Sequence, residues 1–281
     1  MTSPLLLHDL LRHSAHESTR IAIVDEGQEW SYGALRGRVL ALAHALKRAG
    51  VMRGDRVGVL LHKSFDECAA IFAVSAADAV FIPINPTLKP AQIGHILADS
   101  GARALIGAEA LLAQLRDTLS ARPDLCVLSV DDTPADEADW PATQNIGQDL
   151  AAILYTSGST GAPKGVMLSH ANLIAGARIV RTYLGITASD RILSILPFSF
   201  DYGLNQLLTT VEQGAVLALC RFQLGDQIVK ALSRHRITGL AGVPTIWALL
   251  TKAAPSLART ELPDLRYITN SGGAVPEATV R

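Results

Sequence analysis

Between residues 57 and 130 the chain alternates short aliphatic, β-branched runs with longer stretches of helical character. The runs fall at 57–61, 80–84, 104–106 and 126–130, and the intervening stretches at 65–77, 90–100 and 109–119. Strands separated by a helix cannot pair as hairpins. Each helix must carry the chain back across the sheet, so neighbouring strands run parallel and the crossovers are right-handed. The same alternation resumes after residue 149, with strands expected at 191–196, 215–219, 238–241 and 265–269 and helices at 204–211 and 225–235. This predicts an α/β fold of two doubly wound, mostly parallel βαβ subdomains. Residues 131–148, rich in acids, prolines and polar side chains, read as an exposed linker. They divide the chain into a first subdomain over 1–148, with the linker at its end, and a second over 149–281.

The first fifty residues add local signals. Ser3-Pro4 opens a helix carrying Leu6, Leu7, Leu10 and Leu11. The runs 21–24 and 30–32 flank Asp25-Glu26-Gly27-Gln28 as a hairpin. Ser31 is placed to cap a helix over 33–48, which Gly50 closes.

Charge and cysteine usage exclude several classes. A net charge of −1 gives no basis for nucleic-acid or anionic-membrane binding. Cys68, Cys126 and Cys220 are far apart and odd in number, which fits reduced thiols in a cytoplasmic protein. The scattered histidines lack zinc-type spacing, so no metal site is expected within the chain. His8, His13 and His16 read as solvated residues of the first helix. No apolar stretch is long enough to span a bilayer.

The chemistry concentrates in Tyr155-Thr156-Ser157-Gly158-Ser159-Thr160-Gly161-Ala162-Pro163-Lys164-Gly165. An apolar run at 151–154 leads in, and another at 166–168 leads out. Small residues let a backbone approach a ligand closely. Hydroxyls and N–H groups donate to phosphate oxygens, and Lys164 adds a mobile positive charge. A Ser/Gly-rich hairpin tip is the plainer reading. It is not a Walker A loop, because Gly165 follows the lysine where Ser or Thr is needed and no helix opens there. Ser169 then caps a helix to about residue 184, closed by Gly185, with His170 and Asn172 in its first turn. Capping or packing accounts for His170 at least as well as chemistry.

This string closely resembles the phosphate-binding loop of the adenylate-forming enzymes, which comprise acyl-CoA synthetases, luciferases and peptide-synthetase adenylation domains. Three further segments resemble the same family in the same order. Leu196-Pro197-Phe198-Ser199-Phe200-Asp201-Tyr202-Gly203 is similar to its acyl-pocket element, with Phe200 at the aromatic-or-His position. Gly242-Val243-Pro244-Thr245 is similar to the segment beside its acyl and pantetheine channel. Asn270-Ser271-Gly272-Gly273-Ala274 is similar to its adenine-contacting loop. The Phe-Asp-Tyr-Gly-Leu-Asn-Gln run also resembles a subgroup of bacterial acyl-CoA ligases encoded with exosortase systems. Core filling by Phe198, Phe200 and Tyr202, and a plain strand-end turn at 242–245, explain the same letters.

The resemblance implies that a carboxylic acid, fatty in the first instance, reacts with ATP to give an acyl-adenylate and then a thioester of coenzyme A or carrier-protein pantetheine. It assigns catalysis to Lys164 and Thr156. It assigns nucleotide binding to Thr156, Ser157, Gly158, Ser159, Thr160, Gly161, Lys164, Ser271, Gly272, Gly273 and Ala274. It assigns acid binding to Phe200, Tyr202, Gly203, Gly242, Val243 and Pro244. The family's magnesium-serving Glu, its ribose-binding Asp and its mobile C-terminal domain with an adenylation lysine have no counterpart in the sequence. The expectation is therefore an N-terminal nucleotide- and acyl-binding part, truncated and inactive alone, whose Mg2+ ligand lies elsewhere. A C-terminal domain would complete it in cis or in trans. The alternative is a non-catalytic nucleotide- or acyl-binding module, or half of a split ligase.

Overall fold

A computed structural model describes residues 5–12, 17–133, 139–156 and 163–275. The expected residues Ser3, Pro4, His13, His16, Ser157, Gly158, Ser159, Thr160 and Gly161 lie outside them. The chain forms two six-stranded sheets, each mostly parallel, with helices between and around them.

The first sheet is centred on β3 (Arg56–Leu60), flanked by β4 (Val80–Pro83) and β5 (Ala104–Gly107), with β6 (Cys126–Ser129) at one edge. All four pair in parallel, as the alternating pattern requires. At the other edge β7 (Leu150–Thr156) pairs parallel to β4 and turns back into β8 (Lys164–Ser169) as an antiparallel hairpin. The second sheet runs β12 (Tyr267–Asn270), β11 (Gly239–Gly242), β9 (Arg191–Ser194), β10 (Val216–Leu219), β1 (Ile21–Asp25), β2 (Gln28–Ser31). The β1–β2 hairpin forms as expected. Glu26 and Gly27 take φ of 48° and 87°, the two positive values that a tight hairpin turn with matching twist needs.

The sheets do not follow the sequence division at residue 148. β1 and β2 belong with β9–β12, and β7 and β8 complete the sheet of β3–β6. The two sheets also share one core. Ile23, Ile192 and Leu217 of one sheet and Val57, Phe81 and Leu154 of the other fall in a single buried cluster. The helices α2 (Tyr32–Arg48) and α3 (Phe65–Ala76) contribute to it. Eleven residues of α3 are buried, as expected of a helix that is apolar on every side.

Local caps act where the sequence placed them. Ser31 Oγ accepts the Ala34 N–H at 3.1 Å to start α2. Ser169 Oγ accepts the Asn172 N–H at 3.2 Å, and the Asn172 side chain accepts in return from the Ser169 N–H, to start α7 (His170–Leu184). Four expectations need correction. The helix expected over 109–119 is two short ones, α5 (Glu109–Gln114) and α6 (Arg116–Ser120), because the Leu115 N–H turns tightly onto Leu112 O. The helix expected from 204 begins earlier, as α8 (Asp201–Gln213), which puts Tyr202 and Gly203 in its first turn. The turn expected at 242–245 opens α10 (Pro244–Ala253), with Pro244 in the first turn where its missing N–H costs nothing. His8, expected in solvent, is buried. The remaining helices are α1 (Asp9–Arg12), α4 (Pro90–Asp99) and α9 (Gly225–Arg234). Among the described residues no helix is long and apolar enough to cross a membrane.

Candidate functional site

Parallel sheets expose their carboxyl ends as a row of strand-to-helix loops, and ligands bind open α/β sheets there. In the second sheet that row contains the loops after β9, β11 and β12. Beside it lies a cleft of about 620 Å³. One wall is α7, through Asn172, Leu173, Gly176, Val180 and Tyr183. The other is α8, through Asp201, Tyr202, Leu204, Asn205 and Leu208. Thr269, Asn270 and Ser271 close one end, and Leu168 of β8 closes another.

Of the residues predicted from sequence, Tyr202 and Ser271 are brought together in this cleft. The Tyr202 hydroxyl donates to Thr269 Oγ1, tying the first turn of α8 to β12. Burial raises the Tyr202 pKa, and the hydrogen bond shared with Thr269 partly offsets this. Phe200 stands behind it, edge-to-face at 6.4 Å between ring centroids, and packs on the core of the second sheet. Phe198 is fully buried in the shared core. Core filling thus accounts for Phe198 and Phe200, while Tyr202 lines the cleft.

Gly203 is set by a close approach. A Cβ there would lie 2.2 Å from Pro197 O and 2.8 Å from Leu196 O. The first turn of α8 therefore rests directly on the backbone of the preceding loop.

Gly242, Val243 and Pro244 do not line the cleft but buttress the loop that does. The Ser271 N–H donates to Gly242 O at 3.2 Å. Gly272 and Gly273 lie against Val243 and Pro244, with φ of 78° and 159°, the first of which only glycine takes readily. Asn270 holds this arrangement. Its Oδ1 accepts from Trp247 Nε1 at 2.9 Å, and its Nδ2 donates to Gly273 O at 2.7 Å. Ala274 is exposed beyond the cleft.

The lysine segment enters from the other sheet. Thr156 and Lys164 stand opposite each other in the β7–β8 register, and both are exposed. Lys164, Val166 and Leu168 share one face of β8 by the two-residue strand period, so the lysine and the cleft-lining leucine lie on the same side. Gly165 pairs with Tyr155, and a Cβ there would meet Ile153 Cγ2 at 2.6 Å and the Tyr155 ring at 3.3 Å. The Tyr155 hydroxyl donates to Asp99 Oδ2 at 2.5 Å, fastening the base of the hairpin to α4. Burial raises the Tyr155 pKa, and the Asp99 carboxylate raises it further.

His170 is excluded from the cleft chemistry. It is buried, and its Nδ1 accepts the Leu7 N–H at 3.1 Å. Among the described residues no group of three or more His, Cys, Asp or Glu could hold a metal ion.

Sequence reasoning missed Gly176 and Tyr183 on α7, Asn205 on α8 and Thr269 as lining residues, and it named Asn172, Asp201 and Asn270 only within their segments, with no role of their own. The available signal was the helical spacing 172–176 and 201–205, with small or amide side chains where an inward face would be aliphatic.

Residues 10–281 match the family model described as AMP-binding enzyme. The chain is 32% identical over 278 residues to a linear gramicidin synthase of Brevibacillus parabrevis, covering 97% of this chain and 5% of that synthase. It is 34% identical over 263 residues to a feruloyl-CoA synthase of an Amycolatopsis species, covering 91% of this chain and 52% of that enzyme. The chain thus spans half, or far less, of these curated relatives. Among solved structures, ATP-bound MatB of Rhodopseudomonas palustris superposes with a TM-score of 0.87 at 26% identity, over 97% of this chain and 56% of that one. VinN in complex with L-aspartate superposes with a TM-score of 0.84 at 31% identity, over 98% and 71%.

Proposed function

The chain belongs to the AMP-binding family of adenylate-forming enzymes, and from that premise we propose that it binds ATP and a small carboxylic acid and joins them as an acyl-adenylate. A carboxylate oxygen attacks the α-phosphorus, the bond to the bridging oxygen breaks, and pyrophosphate leaves. A thiol of coenzyme A or of a carrier protein then attacks the acyl carbon and releases AMP. The observation that carries this reading is the single cleft that joins Tyr202 and Ser271 and is closed by the strand that begins at Lys164.

The roles follow from the chemistry of each group. Lys164 offsets the charge that builds on the β,γ-phosphates as pyrophosphate departs, and the Thr156 hydroxyl donates to them. Ser157, Gly158, Ser159, Thr160 and Gly161 complete that loop by sequence. Ser271, Gly272, Gly273 and Ala274 accommodate the adenine. Tyr202, backed by Phe200, Gly203 and the 242–244 buttress, shapes the acid site. Leu168, Leu173, Val180, Leu204 and Leu208 supply an apolar wall suited to an acyl chain. Among the described residues no group of three or more His, Cys, Asp or Glu could hold a metal ion, so Mg2+ would be held chiefly by the nucleotide's own phosphate oxygens. Consumption of ATP and three free cysteines favour a cytoplasmic setting. The assigned binding residues all fall in 149–281, the half that carries the phosphate-binding loop, and a C-terminal domain is the partner we assign to the thioester step.

A second reading of the acid is favoured by Asp201. Asp201 lines the cleft at the first turn of α8, with its Oδ1 accepting the Tyr202 N–H at 2.8 Å; there its carboxylate would pair with an ammonium group, so the acid would be an amino acid. VinN was solved with such a ligand. The test is carboxylate-dependent ATP–pyrophosphate exchange across fatty, aromatic and amino acids, repeated with Asp201→Asn. If Asp201 reads an ammonium group, the variant loses about tenfold or more on amino acids and little on acids lacking the amine. Equal losses on both kinds of acid would remove the second reading.

A further inference from the structure

Lys63 lies in the short loop between β3 and α3 of the first sheet, yet everything its ammonium bonds belongs to the second. Nζ donates to Ser194 Oγ at 2.8 Å and to Leu196 O at 2.5 Å, and it sits 4.0 Å from the centroid of the Phe198 ring. Ser194 ends β9, and Phe198 anchors the loop that leads into α8. Ser194 and Phe198 are fully buried. Three successive contacts on alternate residues of one segment thus converge on one cation.

That segment is the seat of the cleft. Gly203 packs against the carbonyls of Leu196 and Pro197, the Phe200 N–H donates to Pro197 O at 3.1 Å, and the Leu204 N–H donates to Phe200 O at 2.9 Å. Any shift of residues 194–198 moves the turn that carries Asp201 and Tyr202.

We infer that Lys63 is a positioning residue for the acid site: from the opposite sheet it clamps residues 194–198, and through them it sets where Asp201 and Tyr202 face the cleft. This rests on the reading of that cleft given above. An ammonium partly withdrawn from water is costly to desolvate, and an apolar side chain of the same length would fill the space without directing the loop. The cation–carbonyl and cation–ring contacts are directional, which suits the fixing of a turn. Glu67, buried nearby on α3, supplies the compensating charge. Burial lowers the Lys63 pKa and raises that of Glu67, and each is partly opposed by the other.

The test uses the full chain with two variants, Lys63→Met and the double variant Lys63→Met/Glu67→Gln, which avoids leaving a buried carboxyl without its cation. Amide hydrogen exchange is read at Phe200 and Leu204, and KM is measured separately for the acid and for ATP in the pyrophosphate-exchange assay. The clamp predicts amide exchange at least about tenfold faster at those two positions, and an acid KM raised about tenfold, with ATP KM within about twofold of wild type. Unchanged amide exchange in a folded variant overturns the clamp. Faster amide exchange with an unchanged acid KM, or with both KM values rising together, reduces Lys63 to a structural contact and overturns the positioning role. A wild-type chain that activates no acid overturns the functional reading instead, while the amide data still decide the contact.

Discussion

Gly203→Ala places the account under direct load. In an unconstrained helix this substitution stabilises by about 1 kcal/mol, because alanine gives up less backbone entropy. Here the new methyl would meet Pro197 O at 2.2 Å and Leu196 O at 2.8 Å, where ordinary contact begins at 3.4 Å. Both obstacles are backbone carbonyls and cannot rotate away, so the first turn of α8 must lift by about an ångström. Overpacking of this kind costs about 1–3 kcal/mol and more where the backbone is the obstacle. With two backbone carbonyls as the obstacle the cost is taken at about 3–4 kcal/mol, which outweighs the gain of about 1 kcal/mol for a net loss of about 2–3 kcal/mol. With an unfolding entropy of about 0.6 kcal/mol/K for a chain of this length, Tm falls by about 3–5 °C in calorimetry. The displaced turn carries Asp201 and Tyr202, and an error of about an ångström in a substrate-positioning group costs up to about a hundredfold in rate. Gly37→Ala is the control. It lies in α2 with nothing within 4 Å of the added methyl, and it should gain about 1 kcal/mol. A Gly203→Ala protein as stable as Gly37→Ala, with undiminished activity, would show that α8 does not rest on the preceding loop.

Two further outcomes are expected. Lys164→Ala leaves Tm within the range of a surface substitution, since the side chain is exposed, while nucleotide affinity in calorimetric titration falls about ten- to a hundredfold; unchanged affinity would remove Lys164 from the nucleotide site. Stability should also drop as pH falls. Burial holds His8 and His170 neutral, each lowered to about 4, with Asp9 and Asp78 pulling the other way and Asp149 adding to that pull on His170. Between about pH 6.5 and 4 the unfolded chain binds more protons than the folded one, so folding is weakened by up to about 3 kcal/mol per histidine. His170→Gln should flatten urea midpoints over that window, and an unaltered pH slope would contradict the buried-neutral assignment.

How far the sequence could be read depended on the range of the physics involved. Ser31, and the Ser169–Asn172 reciprocal cap, act within three residues, so the letters alone place the starts of α2 and α7. The start of α8 was missed because Phe200, at its N-cap, makes no side-chain hydrogen bond, and Gly203 reads as a breaker until Pro197 O is known to lie against it. Alternation predicts parallel strands, but not which sheet receives the β1–β2 or the β7–β8 hairpin. Those hairpins crossed the division drawn at residue 148, since pairing to β10 and β4 is decided by packing between distant segments. The four motifs were legible as strings. Their convergence was legible only in part: Tyr202 and Ser271 meet in the cleft, while 242–244 serve as its support. Asn172, Asp201 and Asn205 were marked only by helical spacing, which does not say what the shared face adjoins, and Lys63 carried no local mark, since its partners lie more than a hundred residues away.

The central claim is that this cleft joins a carboxylic acid to ATP. Carboxylate-dependent exchange of labelled pyrophosphate into ATP tests it most directly, because exchange requires the acyl-adenylate to form and reverse and needs no thiol acceptor. With the protein as encoded in full, the account predicts exchange with at least one acid of a fatty, aromatic and amino acid panel, strongly reduced by Lys164→Ala. A folded protein that binds ATP and exchanges with none of them would contradict it.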